Sequence, residues 1–418
     1  MQNRSQAPEI KNFKAINFVK PSIKNLNENY NLYYFQNVPN DTSRIELYFN
    51  FGTITGKNGL ASTMSSLLFS GNKTQNSLRI QELFDDLGVF KEVALSQEEC
   101  VISIYCLNSN LSLAFDLIFK TLNEVDFPLK EVEEHLSQKK QHFEISMQKV
   151  GVLARRKFLE QMYPNSSYGR LLNFQDFEKT TREEIKVFYQ DYFLKSLFKA
   201  TLVGDIPNSE IDAISKKLMH WVTKKPILKT SGCVNNSGKF LIKKEGALQS
   251  AIRIGLPLYT KTDKRFVDFN ILNTILGGYF GSRLMTNLRE ENGYTYGIGS
   301  YVSELNKSGV FVISTEVGKE HAKQAINEVK KEIDRLRTEL VPLEELELVK
   351  NYLLGQLLKS ADGAYAMMNL YIGLQKHAMD FRFYEQYVDR IFSITPNEIR
   401  KCAVETLDWS KMTVVCAG

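Results

Sequence analysis

The feature that most constrains this chain is that it repeats itself. Phe127, Pro128, Glu131 and Glu133 are matched by Val341, Pro342, Glu345 and Glu347, 214 residues further on. Thr181 and Glu184 are matched at the same offset by Thr395 and Glu398, and each Thr-x-x-Glu is a capping box that starts a helix. Two unrelated anchors that agree on one spacing point to a duplicated unit. The chain has 418 residues, too many for one comfortable core but enough for two units of about 200 residues. The expected division is a first domain over 1–220, a linker over 221–238 where prolines, lysines and asparagines lose all periodicity, and a second domain over 239–418.

Within each unit the order is strands, helices, a strand pair and further helices. Alternation predicts strands over Leu32–Gln36 and Ser43–Phe51, then Lys91–Ala94 and Cys100–Leu107, and again over Leu194–Val203. Helical spacing predicts helices over Leu60–Phe69 and Ser77–Leu87, beyond Asn110, and from Leu129 past Lys140. The second unit repeats the plan. It has a strand at Ala251–Leu256, helices over Lys264–Leu276 and Arg283–Arg289, and a strand pair at Tyr296–Val302 and Val310–Val317. A helix follows over His321–Leu336, with a long one after Pro342. The fold class is α+β: two homologous domains, each an antiparallel-rich mixed sheet covered by helices, forming a clamshell around a chamber.

Composition removes several classes of function. With 43% hydrophobic and 24% charged residues the chain is an ordinary globular one, and a net charge of +5 supplies no concentrated basic face for nucleic acid. No apolar run of about 18 residues is present, so no membrane span is expected. The first 20 residues carry no apolar leader, which makes the cytoplasm the expected compartment, or the periplasm if a leader has been removed. The five cysteines (Cys100, Cys106, Cys233, Cys402 and Cys416) have no framework spacing and read as free thiols.

The stretch from Gly281 to Ser300 carries the chemistry. Arg289 near the end of a helix and Tyr296 at the start of a strand flank the turn at Asn292 and Gly293. A guanidinium and a phenol held on two rigid elements can bind a peptide carbonyl or stabilise an oxyanion.

With the duplicated plan, this stretch resembles the pitrilysin/insulinase family of zinc peptidases over nearly the whole chain, from about residue 25 onward. The family's second domain carries a segment similar to Ser282-Arg283-Leu284, Leu288-Arg289-Glu290, Gly293 and Tyr296. The resemblance implies substrate-backbone binding for Arg289 and stabilisation of the tetrahedral intermediate for Tyr296. Its first domain carries an inverted zinc motif, H-x-x-E-H, in a frame that this chain keeps as Gly59-Leu60-Ala61 and Leu67-Leu68-Phe69-Ser70-Gly71. Ser62 and Ser66 stand in the two histidine positions, and Ser65 stands where the family has its general-base glutamate.

Serine hydroxyls are poor zinc ligands, and none of them can act as the carboxylate base of a metal-bound water. The family's third ligand, a glutamate in the helix after the Phe-Pro step, falls at His142, with His135 seven residues earlier; a slip of one residue would put Gln141 there. His135 and His142 with Glu131 or Glu144 form an alternative, repurposed metal set. A seryl nucleophile would need one of these histidines as its base.

The expectation is therefore a chain without metal or other cofactor of its own. It would serve as the non-catalytic subunit of a heterodimeric zinc metallopeptidase, with zinc held by a homologous partner and a peptide as substrate. Arg289 and Tyr296 would then be its catalytic contribution. In this family a peptide adds as a strand to the first domain's sheet, an edge expected at Gly52, Gly56 and Gly59. Two alternatives remain at this stage: a scaffolding homologue without peptidase activity, and a stand-alone peptide-binding protein working as a homodimer.

Overall fold

The structure is a computed structural model that describes residues 15–27, 30–219, 221 and 232–418. In the first half, β1 (Ser22–Asn27), β2 (Tyr30–Phe35), β3 (Thr42–Phe49), β4 (Phe90–Leu95), β5 (Cys100–Leu107) and β6 (Leu197–Val203) form one sheet in the order β1-β2-β6-β3-β5-β4. Only β2 and β6 run parallel; the other neighbours are antiparallel. In the second half, β7 (Gly238–Ile242), β8 (Gln249–Leu258), β9 (Ile298–Glu304), β10 (Gly309–Gly318) and β11 (Thr413–Ala417) are ordered β7-β11-β8-β10-β9. Here too one pair, β7 with β11, is parallel and the rest antiparallel. Strand for strand the second sheet repeats β2-β6-β3-β5-β4, and β1 is the addition of the first half. The duplication expected from two sequence anchors is a duplication of topology.

The helices keep the same register. Those of the first half used below are α1 (Leu60–Ser66), α2 (Ser77–Asp86), α3 (Leu111–Asn123), α4 (Leu129–Ser146) and α5 (Val150–Met162). α4 begins at Leu129 and its copy at Leu343; the capped helices begin at Arg182 and Pro396. Both capping boxes are formed. Thr181 Oγ1 accepts from Glu184 N at 3.2 Å, and Thr395 Oγ1 from Glu398 N at 3.4 Å. The glutamates accept from the threonine N–H groups in return, at 3.3 and 2.9 Å, so two orphan helix donors are satisfied at each site.

The two halves are interlocked by an exchange of helices. α5 belongs to the first half in sequence, yet Ala154, Phe158 and Met162 bury themselves with Ala251, Val310, Val312 and Val415 of the second sheet. Its copy, helix Gly363–Gln375, lies on the first sheet instead. Tyr371 packs on Tyr33 with ring centroids 5.8 Å apart, and Arg44 Nη2 donates to Asn369 Oδ1 at 2.7 Å. Each sheet is thus covered on one face by its own helices and on the other by a helix of the opposite half. A further tie crosses the join. The buried Glu98, in the β4–β5 turn, accepts from the Tyr168 hydroxyl at 2.6 Å and from Asn306 N at 3.0 Å, and pairs with Lys376 at 2.9 Å.

The expected elements match closely in the sheets, with Cys100–Leu107 reproduced to the residue. Three short strands are additional: the polar β1, the partly exposed β7, and β11 at the end of the second sheet's plan, a run of only five residues. The expected strand start at Tyr296 moves to Ile298. Of the expected linker, residues 222–231 lie outside the described residues. Among the described residues no helix is long and apolar enough to cross a membrane.

Candidate functional site

The face on which the sequence places the degenerate motif is built from α1 and α4. α1 starts on Gly59, whose φ of 77° lies in the left-handed region; a Cβ there would also meet Leu172 Cδ1 at 2.8 Å. Leu60, Ala61 and Met64 anchor the helix in the first core, which fixes where its three serines point. Ser65 is turned into that core and lies 3.8 Å from Cys100 Sγ. Ser66 is exposed, and its hydroxyl donates back to the Ser62 carbonyl at 2.9 Å. Ser62 alone of the three faces the cavity between α1 and α4, a space of about 510 Å³ that His135, Lys139 and His142 also line.

Those three α4 residues are spaced four and three apart, so they share one helix face. The middle one decides the chemistry. Lys139 Nζ donates to Ser62 Oγ at 2.6 Å, which places an ammonium between the two histidines. Burial lowers the Lys139 pKa to about 8. The His135 imidazole, desolvated and beside that ammonium, is held down to about 4, so it is neutral at neutral pH. Its Nε2 is buried and has no hydrogen-bond partner.

This set does not fit zinc. It offers two imidazoles and hydroxyls around an ammonium, whereas a zinc site wants thiolate, imidazole or carboxylate ligands and no competing cation. The carboxylates weighed for a repurposed metal site do not supply the lack. Glu131 accepts from Ser77 Oγ at 2.8 Å, and Glu144 is exposed. Among the described residues no three His, Cys, Asp or Glu side chains converge on a point. A seryl nucleophile based on His135 or His142 is not formed either, because the hydroxyl of Ser62 is engaged by Lys139. All five cysteines are free, and burial pushes Cys100 up to about 12, away from thiolate chemistry.

The Arg289–Tyr296 turn is built differently. Arg289 sits on a π-helical segment, Thr286–Glu291, and its guanidinium lies 4.6 Å from the ring centre of the exposed Phe280. Asn287 anchors the segment by donating to Glu332 Oε1 at 2.8 Å, and Gly293, at φ 63°, turns the chain. Thr295 then pins the bend: its hydroxyl contacts the Glu316 carbonyl at 2.7 Å and accepts from Gly297 N at 3.0 Å. Tyr296 is held out at 95% exposure between these fixed points. Neither Arg289 nor Tyr296 lines the cavities that Ser62 lines.

Gly52, Gly56 and Gly59 lie in the loop after β3. Thr53 N and Ile54 N donate to the carbonyls of Ser96 and Gln97, at 3.0 and 3.2 Å, so this loop is already paired. The open edges of the first sheet are β1 and β4. Lys139 was not among the residues singled out from the sequence. Its signal was its place on the His135–His142 face, four residues from one and three from the other.

Comparison with known proteins agrees with this geometry. The family model described as Insulinase (Peptidase family M16) matches residues 33–173, and that described as Peptidase M16 inactive domain matches residues 179–353. The chain belongs to the insulinase family, M16. A relative in Rickettsia bellii, described as an uncharacterized zinc protease, is 24% identical over 72% of this chain and 74% of its own length. A Bacillus subtilis relative, described as the probable inactive metalloprotease YmfF, is 21% identical over 71% of this chain and 70% of its own length. Among solved structures, an M16 inactive domain from Pseudomonas fluorescens superposes with a TM-score of 0.83 at 20% identity, over 96% of this chain and 98% of that one. A protease from Helicobacter pylori gives 0.83 at 14% identity, over 96% and 99%. At such identities the structures establish the M16 fold. The family assignment and the donor set around Ser62 together fit a zinc-less, non-catalytic M16 chain.

Proposed function

We propose that this chain is the zinc-less subunit of a two-chain M16 peptidase and lends Arg289 and Tyr296 to peptide held at a partner's zinc site. The observation that carries the reading is the contrast in engagement. Tyr296 is presented to solvent on a bend fixed by Thr295, while the hydroxyl of this chain's own Ser62 is engaged by the Lys139 ammonium. A phenol and a guanidinium on rigid supports suit the stabilisation of a developing oxyanion, and a zinc-bearing homologue would supply the attacking water. A peptide adding as a strand would meet the open edge of β4, which follows α2 and ends beside the loop at Ser96.

The test is to purify the chain alone and together with a homologous chain that carries an intact zinc motif, then to measure zinc content and peptide cleavage. The chain alone is expected to be inactive and free of stoichiometric zinc, and the pair active. Arg289→Ala or Tyr296→Phe is expected to lower turnover of the pair by about 100-fold, the usual loss for one oxyanion donor. Full activity of both variants would overturn the reading in favour of a scaffolding role.

A further inference from the structure

We infer that the two cavities meeting at Ser62 form a binding site for a free carboxylate on a peptide. The first cavity, about 410 Å³, lies between the halves; Arg155 and Arg170 stand at it from α5 and the turn beyond, and Arg253 from β8. The second is the space between α1 and α4 that holds Lys139 and His135. The two share Gly59, Ser62 and Leu172 as a common wall. Four cations line this connected space, and neither lining includes an aspartate or a glutamate.

Lys139 and Arg253 are partly buried here. Several sheltered cations elsewhere have carboxylate partners: Lys376 with Glu98 at 2.9 Å, Arg283 with Glu345 at 2.7 Å, Arg390 with Asp268 at 2.6 Å and Arg44 with Glu46 at 3.4 Å. Among the described residues, no carboxylate lies within ion-pair distance of Lys139, Arg155, Arg170 or Arg253. Arg170 spends one donor on the Ile54 carbonyl at 2.8 Å, and Lys139 has only the neutral Ser62 hydroxyl. A half-buried ammonium without a counter-charge is an unfavourable arrangement, and a ligand carboxylate supplies the missing charge. The uncharged part of the lining is suited to an extended chain. Phe158, Leu159 and Tyr168 give apolar walls, and Tyr301 and Ser303 of the edge strand β9 line one side. A cavity of this size accommodates a few residues of peptide.

The inference rests on the proposed function only in taking the ligand to be a peptide; the carboxylate preference comes from these four cations. It is tested on the isolated full chain by fluorescence anisotropy with labelled peptides of one length. They are a neutral peptide with an amidated C-terminus, the same peptide with a free C-terminus, and the amidated peptide with one internal glutamate. Peptides bearing a carboxylate are expected to bind at least 10-fold more tightly than the neutral one. The advantage should shrink with added salt and be lost in Lys139→Met and in the double variant Arg155→Gln/Arg253→Gln.

Preference for the free C-terminus over the glutamate, or the reverse, assigns the source of the carboxylate. Equal binding of all three peptides, or a preference that survives both variants, would overturn the inference while leaving peptide binding intact. No binding of any peptide would overturn the peptide reading itself. Arg289→Ala separates the two proposals: it should slow cleavage by the two-chain assembly and leave the carboxylate preference unchanged. Should Lys139→Met fail to fold, the arginine pair, with Arg155 exposed and Arg253 partly so, still decides the matter.

Discussion

The first half and the second half share one plan and differ in opposite senses at the positions proposed to carry function. In the first half the α1–α4 face has turned inward. Its hydroxyl is bonded, its histidine is neutral, and a lysine occupies the centre. In the second half the corresponding effort goes into display, with Thr295, Gly293 and Asn287 holding Tyr296 and Arg289 outward. The lesson is that losing a metal site is not the same as leaving a vacancy. An ammonium now stands on the face that His135 and His142 share, and it opposes a divalent ion on a face that already lacks ligands.

The largest effect expected from breaking this contrast is the loss of about 100-fold in turnover from Tyr296→Phe in the two-chain assembly. In the same assembly Ser62→Ala should leave turnover within a factor of about 2, since Ser62 stabilises no transition state there. A further effect concerns metal binding. Ser62→His, Ser66→His and His142→Glu together should restore donor types, but zinc binding must then expel the Lys139 proton. Repulsion of about 8 kcal/mol between a divalent ion and an ammonium about 4 Å away, at an effective dielectric of 20, exceeds the cost of that proton loss. With the Lys139 pKa at about 8, proton loss at pH 7 costs about 1.4 kcal/mol, or about 10-fold in affinity. Adding Lys139→Gln to the triple variant should therefore tighten zinc by about 10-fold at pH 7 and hardly at all at pH 9, by titration calorimetry; equal affinity of the two variants at pH 7 would break the electrostatic account.

Two further predictions concern stability. The folded-state pKa of Lys139 is about 8, below its unfolded value. At pH 7 the lysine is protonated in both states and the folded state bears the full desolvation penalty. Between pH 8 and about 10.5 the unfolded chain binds the proton that the folded chain has released, so stability rises with pH across that window. Lys139→Met should therefore stabilise the protein at pH 7 by about 2 kcal/mol in denaturant unfolding, and the gain should vanish near pH 10.5. His135 behaves alike at lower pH. Its folded pKa of about 4 lies below the unfolded value, so stability is lost as pH falls from about 6.5 to 4. With solvent screening allowed for, His135→Gln should remove about 1 kcal/mol of that loss. An unchanged pH profile in either variant would show that the face is better solvated than its burial implies.

Much of this was legible in the residues, for identifiable reasons. The Phe-Pro step and the Thr-x-x-Glu boxes are local signals that need no tertiary context, and both recur at one spacing. The frame around Ser62 and the Arg289–Tyr296 pair were equally plain. The helix exchange was not legible, because α5 and helix Gly363–Gln375 each carry enough apolar residues to pack on either sheet. Nothing local in Phe158 or Tyr371 says which half will receive it. Lys139 was missed because a lysine on a polar helix reads as a solvated charge; only the packing of α1, with Ser62, against α4 makes it half-buried. The edge strands escaped for a related reason: β1 is too polar to alternate. The glycines after β3 suggested an open edge, yet long-range pairing with Ser96 and Gln97 closes it.

The exchange of helices also bears on how the chain is made. Since Gly363–Gln375 covers the first sheet, that sheet must wait, with Tyr33 and Arg44 uncovered, until this helix has left the ribosome. A nascent first half is consequently an unfinished surface rather than a folded intermediate, and a message truncated before residue 363 should yield a product that chaperones retain or proteases remove.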